Sequence, residues 1–379
     1  MLVAAVLRPE QREDGQLEVV RIAAEELPDT VRLPVGEPEG AVERLIGDLA
    51  QVIQSSRGSG GPPPPADSRN KARGVCVTSG MSRRYPAMLA TVALLWGASF
   101  MFIKIGVREL HPATLVLGRI GIGALTLALI VPFAVGGRAT VRAIRENLGW
   151  LVIVGLINIA MPFWLLSWGE TRIDSGLASI IQGAVPIFNA VVAFGFFREV
   201  RVTGLRLAGV GIGFLGVALL VGAQPHGRVL AAFAVVGMAL CYAVGQLLAA
   251  RHLAAVQPPV VAFATTAVAA LVMAPLGIAQ APHHLPHWKT IGAVLALAIP
   301  LTALAFLLFY AVIAGAGAAY ASLVTYLVPP IALLYGAIFL GERFGVAAIG
   351  GLALILGGVA LGTGRLSFRR RAKPLASET

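Results

Sequence analysis

From Tyr85 onward, the chain is a series of long runs without a charged side chain, and these runs limit what it can fold into. A helix needs about 20 mainly apolar residues to cross a bilayer. The last but one run, 290–341, is long enough for two helices, with Gly315-Ala316-Gly317 as a natural turn between them. The sequence therefore predicts an all-α polytopic membrane protein with ten transmembrane helices. Their predicted bounds are 86–106, 113–135, 148–169, 176–197, 204–222, 229–250, 258–280, 290–313, 318–340 and 345–364.

Composition excludes the soluble alternative. Of 379 residues, 57% are hydrophobic and 13% are charged, whereas soluble domains carry about 25% charged residues. The 44 glycines are typical of closely packed membrane helices. The two cysteines, Cys76 and Cys241, have no zinc or disulfide spacing.

Residues 1–80 differ from the rest of the chain. They hold 9 Lys/Arg and 12 Asp/Glu, against 21 and 7 in residues 81–379. One short amphipathic helix is expected at 41–54, followed by a Pro/Gly/Ser-rich, disordered stretch at 55–74. We interpret 1–80 as a disordered or over-extended N-terminal tail ahead of a natural start at Met81, with a small regulatory domain as the alternative.

The positive charges predict the orientation. With the start of the membrane block in the cytoplasm, the inner segments carry 14 Lys/Arg and the outer segments 6. Cytoplasmic loops are enriched in these residues, so we expect a multi-pass protein of the inner (plasma) membrane with both ends of the block inside. The basic tail 365–379 then lies in the cytoplasm, and the net charge of +11 indicates membrane topology rather than nucleic-acid binding.

The membrane block repeats itself. Residues 208–222 align with 350–364 at an offset of 142, and Pro186 and Glu199 recur as Pro329 and Glu342 at an offset of 143. We expect two five-helix repeats, 81–222 and 229–364. Because each has an odd number of helices, the second enters the membrane inverted, which is a common plan of secondary transporters.

Several short motifs resemble one known family. They are Leu94-Leu95-Trp96-Gly97-Ala98-Ser99-Phe100, Pro112 followed by Arg119, Ala184-Val185-Pro186, Pro329 and Gly341-Glu342-Arg343. In number, order and duplication they resemble the EamA-type carriers of the drug/metabolite transporter superfamily, with Arg198-Glu199 as a departure from the usual Gly-Glu. The resemblance covers about 81–364 and implies export of amino acids or related metabolites.

Polar and aromatic side chains within the spans are the candidates for the solute path, because they are costly in lipid. Trp96 and Tyr242 are related by the repeat, so we expect them to face each other as a slot, with core packing as the alternative. The prolines of the fourth and ninth spans predict kinked, moving helices. The full set is Trp96, Ser99, Asn158, Gln182, Pro186, Asn189, Tyr242, Gln246, Tyr320, Thr325, Tyr326 and Pro329.

Arg119 is a charge inside a predicted span. It is either a counter-ion for an anionic solute or a structural residue that snorkels outward or pairs with Glu170 or Asp174. The glycine motifs Gly209-x-x-x-Gly213 and Gly358-x-x-x-Gly362 predict packing surfaces, within the bundle or between protomers.

What the sequence lacks narrows the function. No predicted span has an Asp or Glu at mid-depth, and no phosphate-binding loop is present. We therefore expect facilitated export without a cofactor or a metal, and leave proton antiport through Glu170 or Asp174 open. His283, His284 and His287 are expected in a solvated loop rather than a metal site. The alternative is a membrane-embedded enzyme or a scaffold, but the sequence shows no catalytic residues. The partners that we expect are the solute and the bilayer. The oligomeric state is unknown.

Overall fold

The computed structural model describes Glu10–Gln11, Leu17–Glu18 and residues 84–196, 204–224 and 228–362, without the side chains of the two dipeptides and of 194–196, 205–206 and 318–319. The expected helix 41–54, the stretch 55–74, the tail 365–379 and the Arg198-Glu199 motif lie outside these residues. The two dipeptides form a short antiparallel pair, β1 (Glu10–Gln11) and β2 (Leu17–Glu18), in a unit of its own, Met1–Asp48.

The other unit, Leu49–Thr379, is helical throughout its described elements. The helices are α1 Arg84–Gly106, α2 Pro112–Val135, α3 Gly137–Glu146, α4 Leu148–Glu170, α5 Ser175–Gln182, α6 Val185–Phe196, α7 Leu205–Gly222, α8 Val229–His252, α9 Pro258–Ala279, α10 Trp288–Ala316, α11 Ala318–Ala321, α12 Val324–Leu340 and α13 Val346–Gly362.

Seven helical stretches in the described part are long and apolar enough to cross a membrane. Three more apolar helices are shorter, Leu207–Gly222, Val324–Leu340 and Val346–Gly362. Each lies where a span is predicted. The helix of the ninth predicted span is short because the span is interrupted between α11 and α12. The all-α membrane class is confirmed for the described part of Leu49–Thr379, and the count of ten crossings stays a prediction.

Helix α3 corrects one expectation. The sequence assigned 136–147 to a basic inner loop, but residues Gly137–Glu146 are helical. Its arginines recur at helical spacing, and Arg142 Nε donates to Glu146 Oε1 at 2.7 Å, one turn away. A count of positive charges places such a segment on one side of the membrane but does not register its periodicity.

Prolines shape two of the long helices. In α4 the turn Leu156–Ala160 is π-helical and precedes Pro162; in α10 the π-helical turn Ile299–Leu304 contains Pro300. A proline ring clashes with the carbonyl four residues earlier, and a wider turn relieves the clash. The two helices, α4 and α10, are the third and the eighth predicted spans, which the repeat relates to each other. Both have the wide turn near the middle, so the two halves share this distortion.

Helix contacts are exchanged between the halves. Helix α1 packs on α12 and α10 of the second half, while its repeat partner α8 packs on α6 and α4 of the first. The paired helices α2 and α9 pack on each other, and so do α7 and α13. In the last pair Gly358 lies against the backbone of Gly209 and Gly213. The glycine motifs therefore pack within the bundle.

Loops predicted on one side of the membrane meet at one end of the bundle. We call the end with loops 107–111, 171–174, 280–287 and 341–345 the outer end. There Glu109 binds the backbone N–H of His287, the residue just before α10, and Glu342 binds Ser175. At the opposite, inner end, the Trp150 ring stacks on His252 at 3.5 Å. The end contacts thus agree with the alternation of loops that the sequence predicts.

Candidate functional site

Arg119 lies inside the bundle, only 7% exposed. Its Nε donates to Thr302 Oγ1 at 3.0 Å, and its guanidinium carbon lies 4.1 Å from the ring centroid of Phe163. Thr302 belongs to the π-helical turn of α10, and its hydroxyl donates in turn to the Leu297 carbonyl at 2.7 Å. The predicted residue thus joins α2, α4 and α10 in the interior.

The guanidinium keeps free hydrogen-bonding capacity. Among the described residues its two terminal nitrogens have no hydrogen-bond partner, and neither predicted partner, Glu170 or Asp174, is bonded to it. Tyr242 and Glu170 lie within its electrostatic range. Because a buried cation needs compensation, this arrangement suits an anionic ligand that both terminal nitrogens can bind.

Glu170, which the sequence placed merely at a helix end, is fully buried at 0% exposure. Neither of its carboxylate oxygens has a hydrogen-bond partner in the described part of the chain. Lys104 covers this region from α1, where its ammonium donates to the backbone carbonyls of Glu170 and Ile173 at 2.7 Å each. Sequence reasoning missed the burial because it depends on that tertiary contact.

Trp96 is in an aromatic cluster with α10. Its ring centroid lies 4.9 Å from that of Phe309 and 6.2 Å from that of Phe306. Tyr242 instead packs with a core group on α2, α4 and α9 that includes Ile120 and Phe163. Helices α1 and α8 share no extended contact in the described part, so the facing slot of Trp96 and Tyr242 remains a prediction.

Two further candidates, Ser99 and Asn158, contact the protein itself, one within its own helix and one against a neighbouring helix. Ser99 is buried, and its hydroxyl points back to the Leu95 carbonyl at 3.4 Å. Asn158 lies in the π-helical turn of α4 against Gly245 of α8, and its buried Oδ1 has no hydrogen-bond partner among the described residues. The alternatives of helix contact and path lining therefore both stand for Asn158.

One pair of candidates is brought together directly. Asn189 of α6 donates from Nδ2 to Oε1 of Gln246 in α8 at 3.1 Å. Gln246 is exposed and Asn189 half-buried. Because the pair joins a helix of the first half to one of the second, it links the two halves.

The proline-containing spans are interrupted, though not at the prolines. Helix α5 ends at half-buried Gln182 and α6 begins at Val185, with Pro186 in its first turn, so the break is at Gly183 and Ala184. In the second half the break falls at residues 322–323, and Pro329 lies inside α12. A Cβ on Gly183 would come within 3.1 Å of the Pro329 ring, so the two interrupted regions pack together.

Three candidates lie around the second break. Tyr320 is in α11, and Thr325 and Tyr326 are in the first turn of α12; all three are half-buried. They therefore border the interruption, and their role in the path remains a prediction.

Glu342 binds the start of α5 from the other half of the chain. Its Oε1 accepts from the Ser175 backbone N–H at 2.8 Å, and its Oε2 from the Ser175 hydroxyl at 3.0 Å and the Gly176 N–H at 3.1 Å. A carboxylate is favoured at a helix N-terminus, where backbone N–H groups are unpaired. The recurrence of Glu199 as Glu342 was the available signal, but sequence alone did not reveal the partner helix.

Glu109 makes the matching contact at the start of α10. Its carboxylate accepts from the His287 N–H at 2.9 Å and from the Thr290 hydroxyl. These hydrogen bonds, that of Thr290 first, hold the pKa of Glu109 below its ordinary value of 4.5. The described residues contain no group of three or more His, Cys, Asp or Glu suited to a metal ion.

Comparison with known proteins places these features in one family. The model of the EamA-like transporter family matches residues 84–222 and 229–363, one copy for each half. A solved crystal structure is similar in fold, with a TM-score of 0.54 at 21% identity, over 74% of this chain and 96% of that one.

Two curated relatives align over nearly their whole length. A probable terminal-alkyne amino-acid exporter of Streptantibioticus cattleyicolor is 29% identical over 77% of this chain and 97% of its own. A probable amino-acid metabolite efflux pump of Salmonella typhimurium is 25% identical over 77% and 99%. Since the family model matches well over half of the residues, the chain belongs to the EamA-like transporter family of the drug/metabolite transporter superfamily.

Proposed function

We propose that this protein is an inner-membrane secondary transporter that exports a small organic metabolite of the amino-acid class by alternating access. The observation that carries the proposal is Arg119, a buried guanidinium with two unpaired terminal nitrogens in the described interior of a transporter-family bundle. It offers a binding group for the carboxylate of such a solute. The names of the relatives support the same class.

The exchanged contacts support two inverted halves. If the halves are related by a pseudo-two-fold axis in the membrane plane, the α1 contacts with α10 and α12 must recur as α8 contacts with α4 and α6, as they do. Inversion also requires the carboxylates of Glu109 and Glu342 to lie at the same end. Export by this mechanism requires the cross-half contacts of Glu109 and Glu342 at the outer end to open.

Reconstituted liposomes test this function. Protein 81–379 is loaded with each of the 20 labelled amino acids in turn, and efflux is followed with and without a pH jump. We expect a subset to leave down its own gradient, at least ten-fold faster than from protein-free liposomes and with no effect of the pH jump. Efflux at the protein-free rate for all 20 would overturn the proposal, and accumulation driven by the pH gradient would replace facilitated export with proton coupling.

A further inference from the structure

We propose that α3 is a binding surface for anionic phospholipid in the membrane leaflet at the inner end of the bundle. Two of its arginines, Arg138 and Arg145, bind the phosphate groups of the lipid headgroups. The interaction does not depend on which solute is transported, so it can be measured without a transport assay and whether or not the proposed function holds.

Helix α3 has two faces of opposite character, and one of them packs on the bundle. Thr140 is buried, and Ala143 and Ile144 are half-buried against an apolar cluster to which α2, α4 and α9 contribute most residues. The polar groups of this face are satisfied locally. The Thr140 hydroxyl donates to the Gly136 carbonyl at 3.0 Å, and the Asn147 amide donates to the Ala143 carbonyl at 2.9 Å. The packed face therefore fixes which side of α3 points away from the bundle.

The three arginines of α3 lie on the side opposite the packed face. Arg138, Arg142 and Arg145 are spaced four and three residues apart, so they share one side of the helix, and all three are exposed. Arg142 pairs with Glu146 at 2.7 Å. Arg138 and Arg145 have no hydrogen bond or ion pair with any residue that the structure describes. Two guanidinium groups on one face are therefore available to a partner outside the protein.

Exposed apolar side chains on both sides of α3 indicate its depth in the membrane. Phe133, in the last turn of α2, is 87% exposed, and Leu148, the first residue of α4, is 52% exposed. Val141, beside the arginines, is exposed as well. An exposed apolar surface of this kind marks contact with lipid or another apolar partner. A basic helix between two such apolar ends lies at the boundary of hydrocarbon and water, as interfacial amphipathic helices do.

The charge and spacing of the arginines fit anionic headgroups. A guanidinium binds phosphate oxygens through two parallel N–H donors. Arg138 and Arg145 are about 10 Å apart along the helix axis, so each can bind a separate headgroup. Helix α3 carries three arginines and one glutamate, which leaves it positively charged. Phosphatidylcholine has no net charge, whereas phosphatidylglycerol is negative and is attracted by each additional arginine near the membrane surface.

Native mass spectrometry of the full-length protein tests the lipid preference. The purified protein is incubated in detergent with an equimolar mixture of phosphatidylglycerol and phosphatidylcholine that have the same acyl chains. We expect the wild type to retain at least five-fold more phosphatidylglycerol, and this ratio should fall as salt is added, because salt screens exposed charges. Equal retention of the two lipids would overturn the proposal. Loss of the preference in excess soluble glycerol 1-phosphate would also overturn it, because a free phosphate ester would then replace the lipid.

Substitutions on the two ends of the bundle assign the preference to α3. The double variant Arg138→Gln/Arg145→Gln should lower the ratio of retained lipids at least three-fold. Arg108→Gln/Arg172→Gln is the matched control, because it removes the same charge from exposed arginines at the outer end, and its ratio should stay that of the wild type. An equal fall in both double variants would contradict a site on α3.

A single substitution keeps the test decisive if the double variant on α3 does not fold. Val141→Glu places a negative charge beside the arginines on the same exposed face and removes none of them. It should lower the ratio at least two-fold. A ratio equal to that of the wild type would overturn the proposal.

Discussion

Two carboxylates fasten the outer end of the bundle, each at the first turn of a helix from the other half. Glu109 of the first half binds the start of α10, and Glu342 of the second half binds the start of α5. Each satisfies donors that a helix leaves unpaired and places negative charge at the positive end of its dipole. At the scale of residues, these two side chains hold contacts between the halves at the outer end.

Replacing Glu342 should destabilise the protein. Glu342→Ala leaves two backbone N–H groups and the Ser175 hydroxyl without their acceptor, and the expected loss is about 1–2 kcal/mol. Thermal unfolding in detergent should show a lower Tm. Glu146→Ala, which breaks an exposed pair within one helix, should change stability by less than about 0.5 kcal/mol. An equal Tm for both variants would argue against the cap.

The lowered pKa of Glu109 predicts that its contribution to the stability of the outer end is lost in acid. Its folded pKa lies below the ordinary 4.5, so its contribution to stability is complete above that value and is lost as the pH falls through the lowered folded pKa. The wild-type Tm should therefore decline as the pH is lowered below about 4.5. In Glu109→Gln this decline should be shallower, and an unchanged pH profile would exclude the mechanism.

At the scale of elements, glycines allow α7 and α13 to approach each other closely. A Cβ on Gly358 would lie 2.6 Å from the Gly213 backbone nitrogen and 2.7 Å from the Gly209 carbonyl oxygen. Backbone atoms in two packed helices cannot move aside as a flexible side chain can. Neighbouring Gly357 has nothing within 4 Å of such a Cβ.

Adjacent substitutions should therefore have opposite effects. Gly358→Ala forces the two helices apart and should cost about 1–3 kcal/mol. Gly357→Ala meets open space and gains helix propensity, so it should be neutral or stabilising by up to about 1 kcal/mol. Thermal unfolding of the two variants side by side measures the difference. Equal effects would contradict the close packing of α7 on α13.

The sequence predicted the elements better than their interruptions. The apolar runs located the long helices, since solvation in lipid depends on composition, and the membrane class followed. The break before Pro186 was expected near the right place, but that at 322–323 was not, because no proline lies next to it. The burial of Glu170 and the partners of Trp96 come from other helices, and a single sequence with no contact information does not supply them.

Opposite orientation of the halves is a property of the whole molecule, and labelling tests it. In a variant with Cys76 and Cys241 replaced by alanine, Leu285→Cys should react from outside with a membrane-impermeant maleimide, because Leu285 is 90% exposed in an outer loop. Val141→Cys, 56% exposed on α3, should react only after permeabilisation. Labelling of both from the same side would contradict the proposed topology.

Alternating access requires the outer end to open, and a reversible cross-link across it tests that requirement most directly. Ser175→Cys and Glu342→Cys, joined by a short bifunctional methanethiosulfonate in the cysteine-free variant, would hold α5 to the segment after α12. We predict that cross-linked protein in liposomes loses at least ten-fold of its amino-acid efflux and recovers it when a reductant breaks the link. Efflux that continues at the rate of the unlinked protein would contradict the account.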